Sequence, residues 1–418
     1  MAQLAMPRRD PRGGDDRRMS RAAELVADPT RLAALLAART EANARFFETE
    51  AERLARLCHL MAERFARGGQ LVAFGRSPAA RSDARHVAVE FVHPVIVGKR
   101  ALPAVGVAGE GGPLASQVAL LARPDDIAMA FGAADDDGEA SAAIGVARAR
   151  GCLTIAFESA PAHPAEWEFL PPARDADVAQ ELIETLYHVL WELVHVFFEH
   201  RGLLSGRAER RVHDAGASSF LYPFLDERED QLEPVVDDVR RSVLAKAADI
   251  GALRAQTLKE NAEVLAAAAS ALRLCFERGG MLLALGNGGS ATDAMDVVAD
   301  FHTAGRPAID LTEDPAILTA IANDIGIDAI FSRQVIAHGG AGDALLALST
   351  SGNSTNVIAA LAEARRRGLV TIAMVGYDGG RVAAEGLADH VVVTRSEHIP
   401  RIQEAQASAY HTLRVLVG

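Results

Sequence analysis

Two short segments carry residue types suited to holding an anion. Leu285-Gly286-Asn287-Gly288-Gly289-Ser290 leads from an apolar run straight into a helical pattern. Its glycines let backbone N–H groups approach a ligand where a helix start favours negative charge. Such a turn alone is equally compatible with a plain tight turn. The second segment, Leu348-Ser349-Thr350-Ser351-Gly352-Asn353-Ser354, makes the same step and offers four hydroxyls and an Asn. Hydroxyls with N–H groups at a helix N-terminus suit a phosphate and need no Walker-type lysine. If both segments follow strands of one open parallel sheet, they lie at the strand C-termini, where ligands bind.

The elements that would position these loops occur twice. A helix carrying Gln180, Glu181, Tyr187 and His188 recurs as Gln403, Glu404, Tyr410 and His411, and an Arg-Gly-Gly step precedes an apolar strand at Arg67 and again at Arg278. The chain reads as a tandem repeat. Apolar residues at helical spacing from Asp28 to Ala66 and from Val235 to Phe276 open the two copies. In the second copy, runs at 281–285, 344–348, 370–375 and 390–393 alternate with helical segments at 291–301, 354–367 and 401–417. In the first, strands are expected near 71–74, 127–131 and 152–157. Alternation of this kind predicts an α/β fold: two tandem, doubly wound parallel sheets with right-handed crossovers and helices on both faces. The expected divisions are a disordered tail at 1–20, a first domain at 21–205, a polar linker at 206–235 and a second domain at 236–418.

Composition narrows the partners. A formal charge of −13, from 43 Lys and Arg against 56 Asp and Glu, argues against nucleic acid or an anionic membrane as the main partner. Three isolated cysteines make neither a disulfide framework nor a zinc knuckle and fit a cytoplasmic protein. No apolar stretch has signal-peptide or membrane-span length.

The two loops, with Ala322-Asn323-Asp324, Phe331-Ser332-Arg333-Gln334 and Gly376-Tyr377-Asp378-Gly379-Gly380 in the expected order, strongly resemble the sugar-isomerase (SIS) domain family. Over residues 240 to 418 the resemblance is to its phosphoheptose isomerases, which interconvert sedoheptulose 7-phosphate and a heptose 7-phosphate. It implies that Ser290, Ser349, Thr350, Ser351 and Ser354 hold the sugar phosphate, and that Asp324, with Asn287, Gly288 and Gln403, binds substrate. The family's catalytic set is a His and a Glu four apart, then a Gln and a His eight apart, four residues that also bind zinc in some members. No nucleotide cofactor is implied.

Against that pattern the two copies depart in opposite ways. The second has Asp296 and Asp300 for the first pair, keeps Gln403 and His411, and carries Pro400 where the family has an acid. The first has His86, Glu90, Gln180 and His188, every ligand position filled, and these four form the expected metal set. His86 and Glu90 share a helix face, whereas eight residues rise about 12 Å, so Gln180 and His188 would both have to lean. The first copy lacks the phosphate site: Asp135, Asp136 and Asp137 replace the hydroxyls, and Pro78 removes an N–H from the other loop.

The resemblance therefore implies an aldose–ketose isomerase working through an enediol. Glu90 or Asp300 is the expected base, His188 or His411 the acid, and the centre is composite, with phosphate on the second copy and proton transfer assisted by the first. The competing reading is a non-catalytic phosphosugar-binding regulator or assembly module. Because SIS domains pair, the chain resembles a fused dimer, and a homodimer would give a four-domain assembly.

Overall fold

The structure, a computed structural model, describes residues 29–95, 99–108, 111–132, 138–158, 162–199, 203–204 and 231–418. The tail at 1–20, the Asp135–Asp137 run and most of the 206–235 linker lie outside the described residues.

The first half opens with a long helix, α1 (Pro29–Ala66), followed by β1 (Leu71–Phe74), α2 (Pro78–Val92), β2 (Ala104–Val107), α3 (Leu114–Leu121), β3 (Ile127–Ala130), α4 (Glu139–Ala149), β4 (Leu153–Ala156), β5 (Trp167–Glu168) and α5 (Ala176–Glu199). The second repeats this plan with α6 (Leu232–Glu260), α7 (Ala262–Glu277), β6 (Leu282–Leu285), α8 (Gly289–Thr303), β7 (Ala308–Asp310), α9 (Pro315–Asp324), α10 (Ser332–His338), β8 (Ala344–Ser349), α11 (Thr355–Arg367), β9 (Val370–Gly376), α12 (Gly380–Ala384), β10 (His390–Thr394) and α13 (Ile399–Val417).

Both sheets have five parallel strands in the same order, β2-β1-β3-β4-β5 and, read from the matching edge, β7-β6-β8-β9-β10. β1, β3, β4, β6 and β8 are buried along their whole length, as helices on both faces require. In each sheet the strand order reverses beside the first strand, so the loops after β6 and β8 flank the topological switch point.

The halves are not merely linked. Val235, Val236, Val239, Val243 and Ala247 of α6 join the core of the first half, while Leu36 of α1 joins the second. Helix α2 packs on α8, and α13 packs on α5 and α6. These contacts bring the C-terminal helices of the two halves together and set α2 of the first half against α8 of the second.

Candidate active site

The phosphate-type loops are built by backbone constraints. Gly352 has φ +62°, and a Cβ there would lie 2.3 Å from the Gly379 carbonyl oxygen, so only glycine lets the loop after β8 close on the loop after β9. Within it Ser349 Oγ accepts from Gly352 N (3.2 Å) and Ser351 Oγ from Asn353 N (3.1 Å), and Ser354 is the N-cap of α11. Asn287 and Asn356 tie the two loops together with reciprocal 3.0 Å amide hydrogen bonds. The first loop is exposed at Asn287 and Gly288 and buried at Gly289 and Ser290, so it runs from solvent into the interior.

At its inner end it meets the other half of the chain. A Cβ on Gly289 would lie 1.9 Å from Gln403 Nε2 and 2.7 Å from His86 Nε2. Around His86 Nε2 converge His188 Nε2 at 3.4 Å, Gln403 Nε2 at 3.2 Å and Glu90 Oε1 at 3.8 Å. All four side chains are buried. Glu184 adds an oxygen within 4.8 Å of the two histidines, and Tyr187 Oη lies 3.0 Å from His86 Nδ1.

This arrangement corrects one expectation. Gln180 does not join His86, Glu90 and His188; Gln403 of the other half does. A Gln and a His eight residues apart are too far separated along the axis to meet at one point, so each terminal helix sends its Gln to one centre and its His to the other. Gln180 accordingly sits beside Asp296 of the other constellation, close enough to its carboxylate to favour the ionised form.

A second constellation mirrors the first. His411 Nε2 lies 3.6 Å from Asp300 Oδ2, with Asp296 and Gln180 alongside. Here Arg414 pairs with Asp177 and lies 3.7 Å from Asp300, a cation built into the place where a ligand could meet these acids. The neighbouring loop is also filled. Ser77 Oγ caps α2 by accepting from Ala80 N at 3.3 Å, and Arg76 pairs at 3.0 Å with Glu139 at the start of α4.

The electrostatics separate the two. Burial, then the neighbouring His188, hold His86 well below the ordinary histidine value, leaving a neutral ring that can accept or ligate. Burial pushes Glu90 up to about 7 against the opposing effect of His188, the range of a general base. For His411, burial lowers the pKa, but the hydrogen bond to Glu181 and the charge of Asp300 outweigh it and favour the cation.

Of the other expected residues, Asp324 ends α9 on the surface, accepting from Asn323 at 2.7 Å. Sequence reasoning missed Glu184, Tyr187, Glu181 and Glu404. The available signal was helical spacing: Gln180, Glu184 and His188 recur every fourth residue.

Comparison with known proteins places this geometry. The SIS domain profile matches residues 247–376. The phosphoheptose isomerase of Desulfovibrio desulfuricans is 44% identical over 177 residues, covering 41% of this chain and 83% of that protein. That of Chlorobium phaeobacteroides is 42% identical over 202 residues, 46% of this chain and 85% of that protein. The chain belongs to the sugar-isomerase (SIS) domain family. Its C-terminal part is similar in sequence to the phosphoheptose isomerases. Across both halves it shares the fold of the C-terminal domain of glucosamine-fructose-6-phosphate aminotransferase from Francisella tularensis, with TM-score 0.58 and 10% identity over 92% of this chain and 94% of that one.

Proposed function

We propose that the protein is a phosphosugar aldose–ketose isomerase of the sedoheptulose 7-phosphate type, with one composite centre per chain. The observation that carries this reading is the approach of the Gly288–Ser290 turn to His86 and Gln403, which joins the half that has hydroxyls to the half that has His86, Glu90 and His188. In this reading residues 21–205 and 236–418 are the two domains. Ser290, Ser349, Thr350, Ser351 and Ser354 seat the phosphate, and Asn287, Gly288 and Gln403 line the sugar. Asp324, on the surface, is assigned no contact with a sugar bound in the same chain.

Glu90 takes the proton from the carbon next to the carbonyl while the carbonyl oxygen gains a proton from His188, forming an enediol. Return of the proton to the former carbonyl carbon, with loss of the hydroxyl proton from the carbon that gave up its hydrogen, gives the isomer. Asp300 and His411, locked in ion pairs with Arg414 and Glu181, are not needed for either step.

The centre also suits zinc. Tetrahedral ligands at about 2.0–2.1 Å stand about 3.4 Å apart, close to the spacing of the two Nε2 atoms, and Glu90 Oε2 and Gln403 Oε1 are buried without partners. A zinc ion held by His86, Glu90, His188 and Gln403 would polarise the carbonyl and stabilise the enediolate.

Among the described residues no helix is long and apolar enough to cross a membrane, and three free, buried cysteines suit the cytoplasm. Ile317, Ile325, Ile327 and Ile336 expose an apolar face around α9 and α10, which we assign to pairing of two chains.

The test is solvent-deuterium exchange followed by NMR, with zinc and a panel of ketose phosphates led by sedoheptulose 7-phosphate. Label at the carbon beside the carbonyl is expected. Thermal stabilisation by the sugars without any exchange would instead identify a binding module.

A further inference from the structure

We propose that Glu404 is a positioning residue for His188, acting across the boundary between the two halves; this rests on the functional reading above. His188 Nδ1 lies 3.0 Å from Glu404 Oε1. The same carboxylate is paired with Arg401 and approached by Thr185 Oγ1 at 3.1 Å from Oε2. An ionised carboxylate has no proton to give, so the ring donates from Nδ1. Nε2, the atom that faces His86 Nε2, is thereby left as the working nitrogen, which can hold and release a proton or ligate a metal. A carboxylate behind a histidine fixes both its tautomer and its orientation. Glu404 follows Gln403 directly, so one turn of α13 delivers the carboxamide to one side of the centre and the carboxylate behind its histidine.

The fold supplies an internal control. Glu181 makes the mirror contact, 3.0 Å to His411 Nδ1, and is likewise paired with a buried arginine, Arg39. If these carboxylates serve only to brace the interface, the two are equivalent. If Glu404 positions a working histidine, they are not.

The experiment compares Glu404→Gln and Glu181→Gln in the full chain. On metal-free protein, histidine-ring 1H–15N correlation reads the buried Nδ1–H signals; each variant is expected to alter only the signal of its own partner. Zinc affinity, by competition with a chromophoric chelator, is expected to fall about 10–100-fold for Glu404→Gln and to change less than about twofold for Glu181→Gln. In the isomerase assay kcat falls by a similar factor for Glu404→Gln with little change in KM. Should Glu404→Gln not fold, the Arg401→Met/Glu404→Gln pair removes the buried cation together with its anion. Unaltered ring signal and zinc affinity in the Glu404 variants, or equal losses from Glu181→Gln, would overturn the proposal. An inactive wild type that still shows the Glu404-dependent ring signal would count against the isomerase reading instead.

Discussion

Gln403 Nε2 lies 3.2 Å from His86 Nε2 although 317 residues separate them. The contact joins the helix that ends the second half to the helix that follows the first loop of the first half. It assigns the surviving functional groups to a single centre, and that assignment can be tested one group at a time.

Replacing Glu90 by Gln is expected to lower kcat by at least about 100-fold, the usual scale of a general base, whereas Asp300→Asn leaves turnover within a few-fold of wild type. Steady-state kinetics on both variants decide it. Intact turnover in Glu90→Gln with loss in Asp300→Asn would move the chemistry to the other constellation.

A methyl group at position 289 has no room between the loop and Gln403. Gly289→Ala should therefore displace Gln403 or the loop and cost on the order of 100-fold in kcat/KM, with the chain still folded. Calorimetry beside kinetics checks this; an active Gly289→Ala enzyme would show that the close approach is not part of the centre.

Ser349→Ala and Ser351→Ala remove hydroxyls from the proposed phosphate seat. Hydrogen bonds to charged groups contribute about 1.5–3 kcal/mol, so KM for a sugar phosphate should rise roughly tenfold or more, while inhibition by the unphosphorylated sugar stays the same. Equal effects on both ligands would argue that the loop does not hold phosphate.

The loops and most of the sheet were legible in the sequence because each is a local signal. Solid apolar runs announced β1, β3, β4, β6, β8 and β9. β2, β5 and β7 escaped because β2 is mostly half-buried and β5 and β7 are two and three residues long, so none leaves a long apolar run. The crossing of the glutamines was signalled only as discomfort, a separation too large for one site. Which distant residue relieves it depends on how α2 docks against α8, and no local pattern records that. The recurrence of Glu181 as Glu404 was visible, but their role was not, because which histidine each faces depends on how the two terminal helices pack.

Acid should expose the role of Glu404 in stability. Burial raises its pKa, but Arg401 and the hydrogen bond and charge of His188 outweigh that and bring it down to about 2, below the unfolded value of about 4.3. A folded-state pKa below the unfolded one gives stability that is present above the unfolded pKa and lost as pH falls toward the folded one. The stability difference between wild type and Glu404→Gln is therefore expected to be full near neutrality and to shrink between about pH 5 and about pH 2. Urea unfolding across that range measures it; a constant difference would mean that the charge contributes nothing.

The exposed isoleucines make the last prediction. Ile325 and Ile327 are 57% and 62% exposed, and each fully buried aliphatic side chain contributes about 1.5–3 kcal/mol. An Ile325→Asp/Ile327→Asp chain should sediment as a single copy while wild type sediments as a pair. A wild type that is already monomeric at micromolar concentration would remove the four-domain assembly.

The crossing of Gln180 and Gln403 also bears on how such a chain can change over time. In a symmetric dimer of one polypeptide, every substitution appears in both sites at once, so no site can lapse without the other. Here the losses in the two copies are of different kinds, hydroxyls in one and the His and Glu in the other, yet the crossing drops both into the same pocket. In the proposed reading, one chain carries a working centre assembled from both halves and a silent one in which further change costs no activity. On that reading neither half, excised, is expected to catalyse, because neither holds a whole site of its own.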